Sequence, residues 1–412
     1  MINKAKSAKK YTTNDFKLFI TLIFFVLLFV DALNGYLVVN KIINSGGVGS
    51  PSQLGRMLVF LYVLFIYYKY KLPIITMFLL AIFLFTTELI NGIQHQNNYG
   101  VQYGFITSYK LLYLCGVTTV LAFFLRKFDT VKFLAKALLY NVIIVAALIY
   151  FSSITGIGNP TYVDNAFGTK SFFSSGNGLG LYLGVTPLIL LALKKEGLVV
   201  ISNKVFFFII MSIPLVGTKT AFIFFILNAF VYVWLSRYRY RILMIFCLLL
   251  FPLIPKLIDV FSVLFDVIIF RFNKSESFLL FLGSGRVEYV LDAFDLFLAQ
   301  DPSIIRLLFG GGAFVSFQSY NNVASFDTLE TDFFDLFFMY GILGLGVYIF
   351  LCVFILFSFR KNFIYLLPSC LLIFHSIIAG HVIFNGMSVV PLVVLAALAI
   401  NNNLYKKIKR TL

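Results

Sequence analysis

Apolar runs of about 20 residues recur along almost the whole chain, and this pattern restricts the fold more than any other feature. A run of this length crosses the hydrocarbon core of a bilayer, about 30 Å thick, as an α-helix. The strands of a membrane β-barrel would alternate polar and apolar residues instead, and the runs show no such alternation. With 60% hydrophobic and 12% charged residues, the sequence predicts an all-α, polytopic membrane protein.

We expect about twelve transmembrane helices in a single integral-membrane domain that covers residues 1–412. The predicted spans are residues 17–38, 53–68, 72–92, 105–125, 133–155, 174–193, 200–217, 219–236, 242–262, 329–358, 363–380 and 385–404. Four lysines precede the first span, and no small-residue cleavage site follows it. The first span is therefore interpreted as an uncleaved helix. A long polar loop, about residues 263–328, separates the ninth and tenth spans.

The basic residues predict the orientation of these helices. Twenty of the 33 lysine and arginine residues lie in short loops or tails on one side of the predicted spans. The positive-inside rule makes that side cytoplasmic, so both termini are cytoplasmic and the 263–328 loop is extracytoplasmic. Topology signals also account for the net charge of +16, so we expect no nucleic-acid partner.

Five ionisable residues fall in the outer halves or at the outer ends of predicted spans. They are Asp31, Arg56, Glu88, Lys110 and Lys219. Ionisable residues in a membrane are costly and usually functional, so their asymmetric placement predicts a polar cavity that opens outward. In the alternative interpretation, each side chain only reaches for the outer interface.

Arg286 is the most informative residue of the long loop. It lies in the first turn of a predicted amphipathic helix, where a cation opposes the helix dipole by about 0.3–1 kcal/mol. A local ion pair with Glu288 or Asp259 would explain its position. An anionic ligand would explain it equally, because the amides of Gly283 and Gly285 could help to hold phosphate oxygens.

Glu330 lies at the start of the tenth predicted span and has three interpretations. With Asp327 it has the spacing of a capping box. It could also be a general base for a sugar hydroxyl, a role for which His381 is a second candidate. Finally, Glu330, Asp332 and Asp335 could bind a divalent cation. On a helix, however, Glu330 and Asp332 would point about 200° apart, so no metal site is predicted.

The order of these features resembles the O-antigen polymerase and ligase superfamily, over roughly residues 170–350. The resemblance is carried by short motifs, in chain order: Phe173-Ser174-Ser175-Gly176-Asn177-Gly178, Thr218-Lys219-Thr220, Ser284-Gly285-Arg286, the glycine-rich segment Gly310–Gly312, an acidic residue at 330, and Tyr340-Gly341-Ile342-Leu343-Gly344. By itself, the triple glycine predicts either a turn or a phosphate-binding loop.

The resemblance implies a membrane glycosyltransferase with a GT-C-like fold at the outer face of the bacterial cytoplasmic membrane. Members of the family join oligosaccharide repeat units that are linked to undecaprenyl diphosphate. The product would be O-antigen, capsule or exopolysaccharide. The resemblance implies no cofactor. The expected partners are the lipid-linked oligosaccharide, the lipid bilayer, and a chain-length regulator and flippase of the same pathway.

The resemblance also implies roles for individual residues. The expected catalytic residues are Arg286, Glu330, His381 and Asp332, and Glu330 or His381 would deprotonate the acceptor hydroxyl. Arg286 and Lys219 would stabilise charge on the diphosphate. The expected substrate-binding residues are Lys219, Arg56, Lys110, Lys170 and Asn177. Lys219 stands where the family has an arginine, which keeps the charge but loses the bidentate fork.

Two other functions remain open alongside the polymerase. Ligase-like members place a histidine where this chain has Glu330, so the glutamate favours a polymerase over a glycan ligase. A lipid-linked oligosaccharide flippase or other transporter would suit twelve helices and a cationic cavity. The long outer loop and the confinement of charge to the outer half argue against a transporter.

Overall fold

The computed structural model describes residues 13–43, 49–94, 98–126, 128–161, 168–236, 239, 286–299, 303–313 and 328–409. Within these residues the chain is mostly helical. The helices are α1 (Thr13–Val39, with a π-helical segment at Leu22–Val26), α2 (Pro51–Tyr70), α3 (Ile75–Gln94), α4 (Asn98–Phe124), α5 (Phe128–Thr155), α6 (Gly176–Lys195), α7 (Asn203–Ser212, followed by a 3-10 turn at Pro214–Val216), α8 (Lys219–Leu235), α9 (Arg286–Ala299), α10 (Ile304–Phe309), α11 (Asp332–Phe359), α12 (Phe363–Ile378) and α13 (Val389–Lys409). Two short strands, β1 (Asn159–Pro160) and β2 (Thr169–Ser171), pair antiparallel.

The helices have the length and polarity of membrane spans. Six of them are long and apolar enough to cross a bilayer: α1, α3, α4, α5, α6 and α11. Shorter apolar helices lie at 203–216, 219–235, 363–378 and 389–402. The chain is therefore a multi-pass, all-α membrane protein, which confirms the predicted class.

Eleven of the twelve predicted spans coincide with helices of the described residues. The ninth, residues 242–262, lies outside them, as does most of the 263–328 loop. The tenth span begins at Asp332 rather than at residue 329. The number of crossings and a GT-C-like arrangement stay predictions.

Helix α6 lies at the centre of the bundle. Its residues from Gly178 to Leu193 are all buried, and α5, α8, α12 and α13 pack against it. Gly184 allows the closest approach, because a Cβ there would overlap the ring of Phe224 on α8. Asn228 of α8 donates a hydrogen bond from Nδ2 to the Gly184 carbonyl at 2.8 Å. Small residues and interhelical hydrogen bonds are typical of contacts between membrane helices.

Helix α11 is broken at Gly341, whose φ of 65° and ψ of −165° are not helical. A break at this point frees carbonyl groups in the preceding turn. The Phe338 and Met339 carbonyls accept hydrogen bonds from the amides of Gly311 and Gly312, each at 2.9 Å. The glycine-rich segment after α10 is thereby docked onto the broken helix.

The predicted amphipathic helix is present as α9, and its apolar side packs on α11. Val290 and Phe297 are buried, and Phe294 lies 4.9 Å from Phe338 between ring centroids. Two other apolar residues of α9, Leu291 and Leu298, are exposed. The packing of α9 on α11 places Arg286, its first residue, near the start of α11.

Candidate active site

Arg286, Glu330 and His381 come together where α9 and α11 begin and α12 ends. Nη2 of Arg286 donates to Oε2 of Glu330 at 2.6 Å, and Nε2 of His381 lies 3.6 Å from the same oxygen. The side chains of Arg286, Glu330 and His381 are 15%, 43% and 24% exposed. These three residues form a partly open group, called below the Arg286–Glu330–His381 cluster.

Glu330 is held in its position by the backbone on both sides of it. Asp335, in the first turn of α11, accepts hydrogen bonds from the amides of Leu329 at 2.7 Å and Thr331 at 3.2 Å. Glu330 itself has a φ of +55°, which is uncommon for a residue other than glycine and costs free energy. The Asp335 clamp stabilises this backbone conformation and fixes the direction of the carboxylate.

The capping-box interpretation of Glu330 is wrong. A box with Asp327 as the N-cap would place Glu330 inside the helix, but α11 begins at Asp332 and its N-cap is Thr331. Asp327 itself lies outside the described residues. No group of three or more acidic, histidine or cysteine side chains suited to a metal ion occurs in the described part of the chain.

The loop that carries His381 packs directly on the loop that carries Glu330. A Cβ added to Gly380, whose φ is +55°, would lie only 2.6 Å from the carbonyl carbon of Glu330. The Gly380 carbonyl is hydrogen-bonded to Nδ1 of His375 at 3.0 Å, and the Ser388 hydroxyl donates to the His381 carbonyl. The two loops therefore form one unit.

Asp332, the remaining catalytic candidate, links three elements. Its side chain is buried, and Oδ2 accepts hydrogen bonds from Ser376 of α12 at 2.7 Å and from the Val382 amide at 3.0 Å. These contacts join α11, α12 and the His381 loop. Asp332 therefore positions the cluster rather than belonging to it.

The electrostatics of the cluster separate the roles of its members. The His381 imidazole and the Arg286 guanidinium hold the pKa of Glu330 at about 2. Glu330 is therefore ionised at neutral pH, and its carboxylate is a weak proton acceptor. Arg286 is paired with Glu330, 44 residues away, and not with its neighbour Glu288. Nε of Arg286 is buried and has no hydrogen-bond partner among the described residues.

Lys219, Asn177 and Lys170 lie on other elements. Lys219 is the exposed first residue of α8, after the cap formed by Thr218. Asn177 is the second residue of α6, and Lys170 is a half-buried residue of β2 whose pKa is lowered by desolvation. A Cβ on Gly178 would overlap Asn385, so the α6 terminus lies against the loop that carries His381.

Arg56 and Lys110 belong to a separate group with Asp31. Nη2 of Arg56 lies 2.8 and 2.7 Å from the two carboxylate oxygens of Asp31. Lys110 on α4 is close enough for its charge to act on Arg56. Since the charge of Arg56 is matched by Asp31, its predicted contact with a diphosphate stays a prediction.

Glu88 of α3 also docks the glycine-rich segment. Its carboxylate is buried and accepts from the Ala313 amide at 2.9 Å (Oε1) and 3.1 Å (Oε2). The amides of Gly311 and Gly312 are already bonded to α11 carbonyls. With these three amides occupied, the segment serves as a turn and not as a phosphate-binding loop.

Replacing Glu88 by alanine is expected to lower the free energy of unfolding by about 1–3 kcal/mol, because the buried Ala313 amide loses its acceptor. Glu88→Gln keeps one acceptor oxygen and is expected to cost less. Thermal unfolding of the purified protein in detergent micelles measures both. The control is Glu288→Ala, which replaces an exposed acidic residue of α9. It is expected to change the free energy of unfolding by no more than about 0.5 kcal/mol. Equal midpoints for Glu88→Ala and Glu288→Ala would contradict the docking role.

Three contributions to the site carry no signal in the sequence. They are the backbone clamp by Asp335, the hydroxyl contact of Ser388, and the packing of Asn385 on α6. Each depends on a loop conformation rather than on a motif.

A scan of protein-family models finds none that matches the chain, and a search of the curated proteins finds no match either.

Proposed function

We propose that the protein is a polysaccharide polymerase that joins oligosaccharide repeat units carried on undecaprenyl diphosphate. The observation that carries the proposal is the Arg286–Glu330–His381 cluster. It combines a cation, a carboxylate and an imidazole in a partly open position within a membrane bundle. These are the groups that a glycosyl transfer from a lipid diphosphate needs.

The position of the cluster along the helices supports this assignment. Helix α11 starts beside the cluster and ends before Arg360, and α6 starts beside the same loops and ends at Lys194 and Lys195. The basic residues are thus at the other ends of these helices. By the positive-inside rule, the cluster faces the extracytoplasmic side of the bacterial cytoplasmic membrane, where no nucleotide-sugar donor is present.

In the proposed reaction, a hydroxyl of the acceptor repeat attacks the anomeric carbon of the donor repeat. The bond between that carbon and the diphosphate oxygen breaks, and its electron pair leaves with the undecaprenyl diphosphate. Arg286 stabilises the negative charge that develops on the leaving group through its guanidinium, whose side chain is 15% exposed. Lys219 and Lys170 are assigned to the more distant part of the diphosphate.

We assign the acceptor proton to His381 and not to Glu330. With a pKa of about 2, Glu330 has little tendency to take a proton at neutral pH. Its carboxylate can instead accept from Nε2–H of His381, which leaves Nδ1 of the imidazole as the base. Glu330 is then the residue that orients both Arg286 and His381.

The proposal is tested in cells that lack this protein and are complemented with variants. Loss of the protein is expected to leave surface glycan with one repeat unit, as seen on a silver-stained gel of cell-surface material. Glu330→Gln is expected to shorten the glycan chains without abolishing them. The reaction rate should fall by less than the roughly 10²–10⁴-fold that the loss of a general base costs. Long chains in cells without the protein would exclude the polymerase, and a complete loss in Glu330→Gln would make Glu330 the base.

A glycan ligase is the second candidate, because a histidine is present in the cluster. Ligase-like members of the superfamily that the sequence resembles use a histidine as the base. The same deletion separates the two functions. Without a polymerase, cells still display single repeat units, whereas without a ligase they display none.

A further inference from the structure

A polar cavity, separate from the Arg286–Glu330–His381 cluster, lies between the C-terminal half of α1, the start of α2 and two loops. Its volume is about 330 Å³, including the space that opens outward. Most of the cavity wall is polar. Its polar side chains include those of Asp31, Asn34, Ser52, Arg56, Ser174 and Asn385.

The charges in the cavity wall cancel one another. Arg56 bonds both oxygens of Asp31, and the Ser52 hydroxyl donates to Oδ1 of Asp31 at 2.7 Å. The loop backbone is pressed against this pair, since a Cβ on Gly386 would overlap the Arg56 guanidinium. Keeping an ion pair within a membrane bundle is costly, and such residues are usually kept for a function.

Asn34, a residue of the cavity wall, has an acceptor without a partner among the described residues. Its Oδ1 is buried, and leaving a buried acceptor unpaired is unfavourable. A rotation of the amide group that turns Oδ1 toward the cavity would let it accept a hydrogen bond from a hydroxyl group bound there.

The charge pairing in the cavity wall disfavours ions. A metal ion would need the oxygens of Asp31, and these are already bonded to Arg56 and Ser52. An anion would meet a guanidinium whose charge is balanced by Asp31. These contacts favour an uncharged ligand that exchanges hydrogen bonds with the wall.

We propose that this cavity is a binding site for one uncharged sugar ring. The Asp31–Arg56 pair and the side chains of Asn34, Ser52, Ser174 and Asn385 offer donors and acceptors to its hydroxyl groups. Arg56 is a sugar-binding residue in this assignment and not a diphosphate-binding one.

The cavity is joined to the Arg286–Glu330–His381 cluster by one loop. Residues 385–387 line the cavity, and His381 lies four residues earlier. The Ser388 hydroxyl donates to the His381 carbonyl and so fixes this stretch. On the basis of the proposed function, the bound ring is the sugar next to the reacting one, and the cavity selects which repeat unit is accepted.

Binding is measured by saturation-transfer difference NMR on the full-length protein in phospholipid nanodiscs, free of sugar detergents. The probes are glucose, galactose, rhamnose and N-acetylglucosamine at millimolar concentrations. We expect at least one of them to bind to the wild-type protein. Asn34→Leu is expected to weaken that binding by about tenfold, the effect of one lost hydrogen bond. Asn40→Leu makes the same change at the exposed residue that follows α1 and is expected to bind as the wild type does.

Two further variants keep the test decisive. Ser174→Phe narrows the cavity from an exposed position, so it reports on the site even where Asn34→Leu does not fold. Arg286→Ala is expected to lose polymerisation and keep sugar binding. Sugar binding that depends on Asn34 in a protein without polymerase activity would uphold the cavity and overturn the proposed function. No bound sugar in the wild type, or equal binding in Asn34→Leu and Ser174→Phe, would overturn the cavity assignment.

Discussion

Cells that carry Arg286→Ala in place of the wild-type protein are expected to display surface glycan of one repeat unit, with a normal amount of protein in the membrane. In the proposed reaction Arg286 is the cation nearest to the breaking bond. Removing a single group that stabilises developing negative charge costs about 10²–10³-fold in rate. A loss of this size would stop chain growth during the lifetime of a culture. The length distribution of the glycan on a gel, with immunoblotting of the membrane fraction, measures both quantities.

Two control variants separate the role of Arg286 from that of any positive charge. Arg286→Lys keeps the charge but not the planar fork, so partial chain growth is expected. Arg306→Ala removes an arginine of α10 that lies over the ring of Phe297, 4.9 Å from its centroid, and chains of normal length are expected. Normal chains in Arg286→Ala would refute the mechanism.

The 2.6 Å contact between Arg286 and Glu330 adds a quantitative test. Residues in direct contact have effects that do not add. In reconstituted vesicles with a lipid-linked substrate, the double variant Arg286→Ala/Glu330→Gln is expected to polymerise only slightly more slowly than Arg286→Ala alone.

Because the pKa of Glu330 is about 2, the ion pair between Arg286 and Glu330 should persist as pH falls from 7 to 5. A group whose pKa is lowered in the folded protein loses its contribution only as pH falls toward that value.

The sequence predicts the helices of this protein well because its signal is long and repetitive. A run of about 20 apolar residues has few alternatives to a membrane helix, so α1, α4, α5 and α6 lie close to their predicted spans. Arg286 is also singled out correctly as needing a partner, since a cation in the first turn of a helix opposes the dipole. These inferences depend only on residues close together in the chain.

The partners themselves could not be predicted, because they depend on contacts between distant segments. Nothing near Arg286 in the chain indicates Glu330, and Glu88 gives no sign that it bonds the Ala313 amide, 225 positions away. Likewise, the ion pair between Asp31 and Arg56 depends on how α1 packs on α2. Charges within membrane spans show that polar partners are needed, and only the packing of the helices decides which ones.

Gly341→Ala is expected to be the most destabilising single substitution proposed for this chain, at about 3 kcal/mol. The backbone of Gly341 lies in a region of φ and ψ that is almost restricted to glycine. An added Cβ would also lie 2.6 Å from the amide nitrogen of Phe309 in α10. Neither problem can be relieved unless α11 straightens, and a straight helix would withdraw the Phe338 and Met339 carbonyls from the glycine-rich segment.

Gly346→Ala is the matched control, five residues further along the same helix. Gly346 is helical, and a Cβ there meets nothing within 4 Å, so alanine is expected to stabilise the helix by up to about 1 kcal/mol. The two variants should therefore shift the midpoint of thermal unfolding in opposite directions. Gly341→Ala should also lose chain growth in cells, because α9, which carries Arg286, packs on Phe338 in the half of α11 that precedes the break. Equal midpoints for the two variants would mean that α11 is not broken at Gly341 and that α10 is held by other contacts.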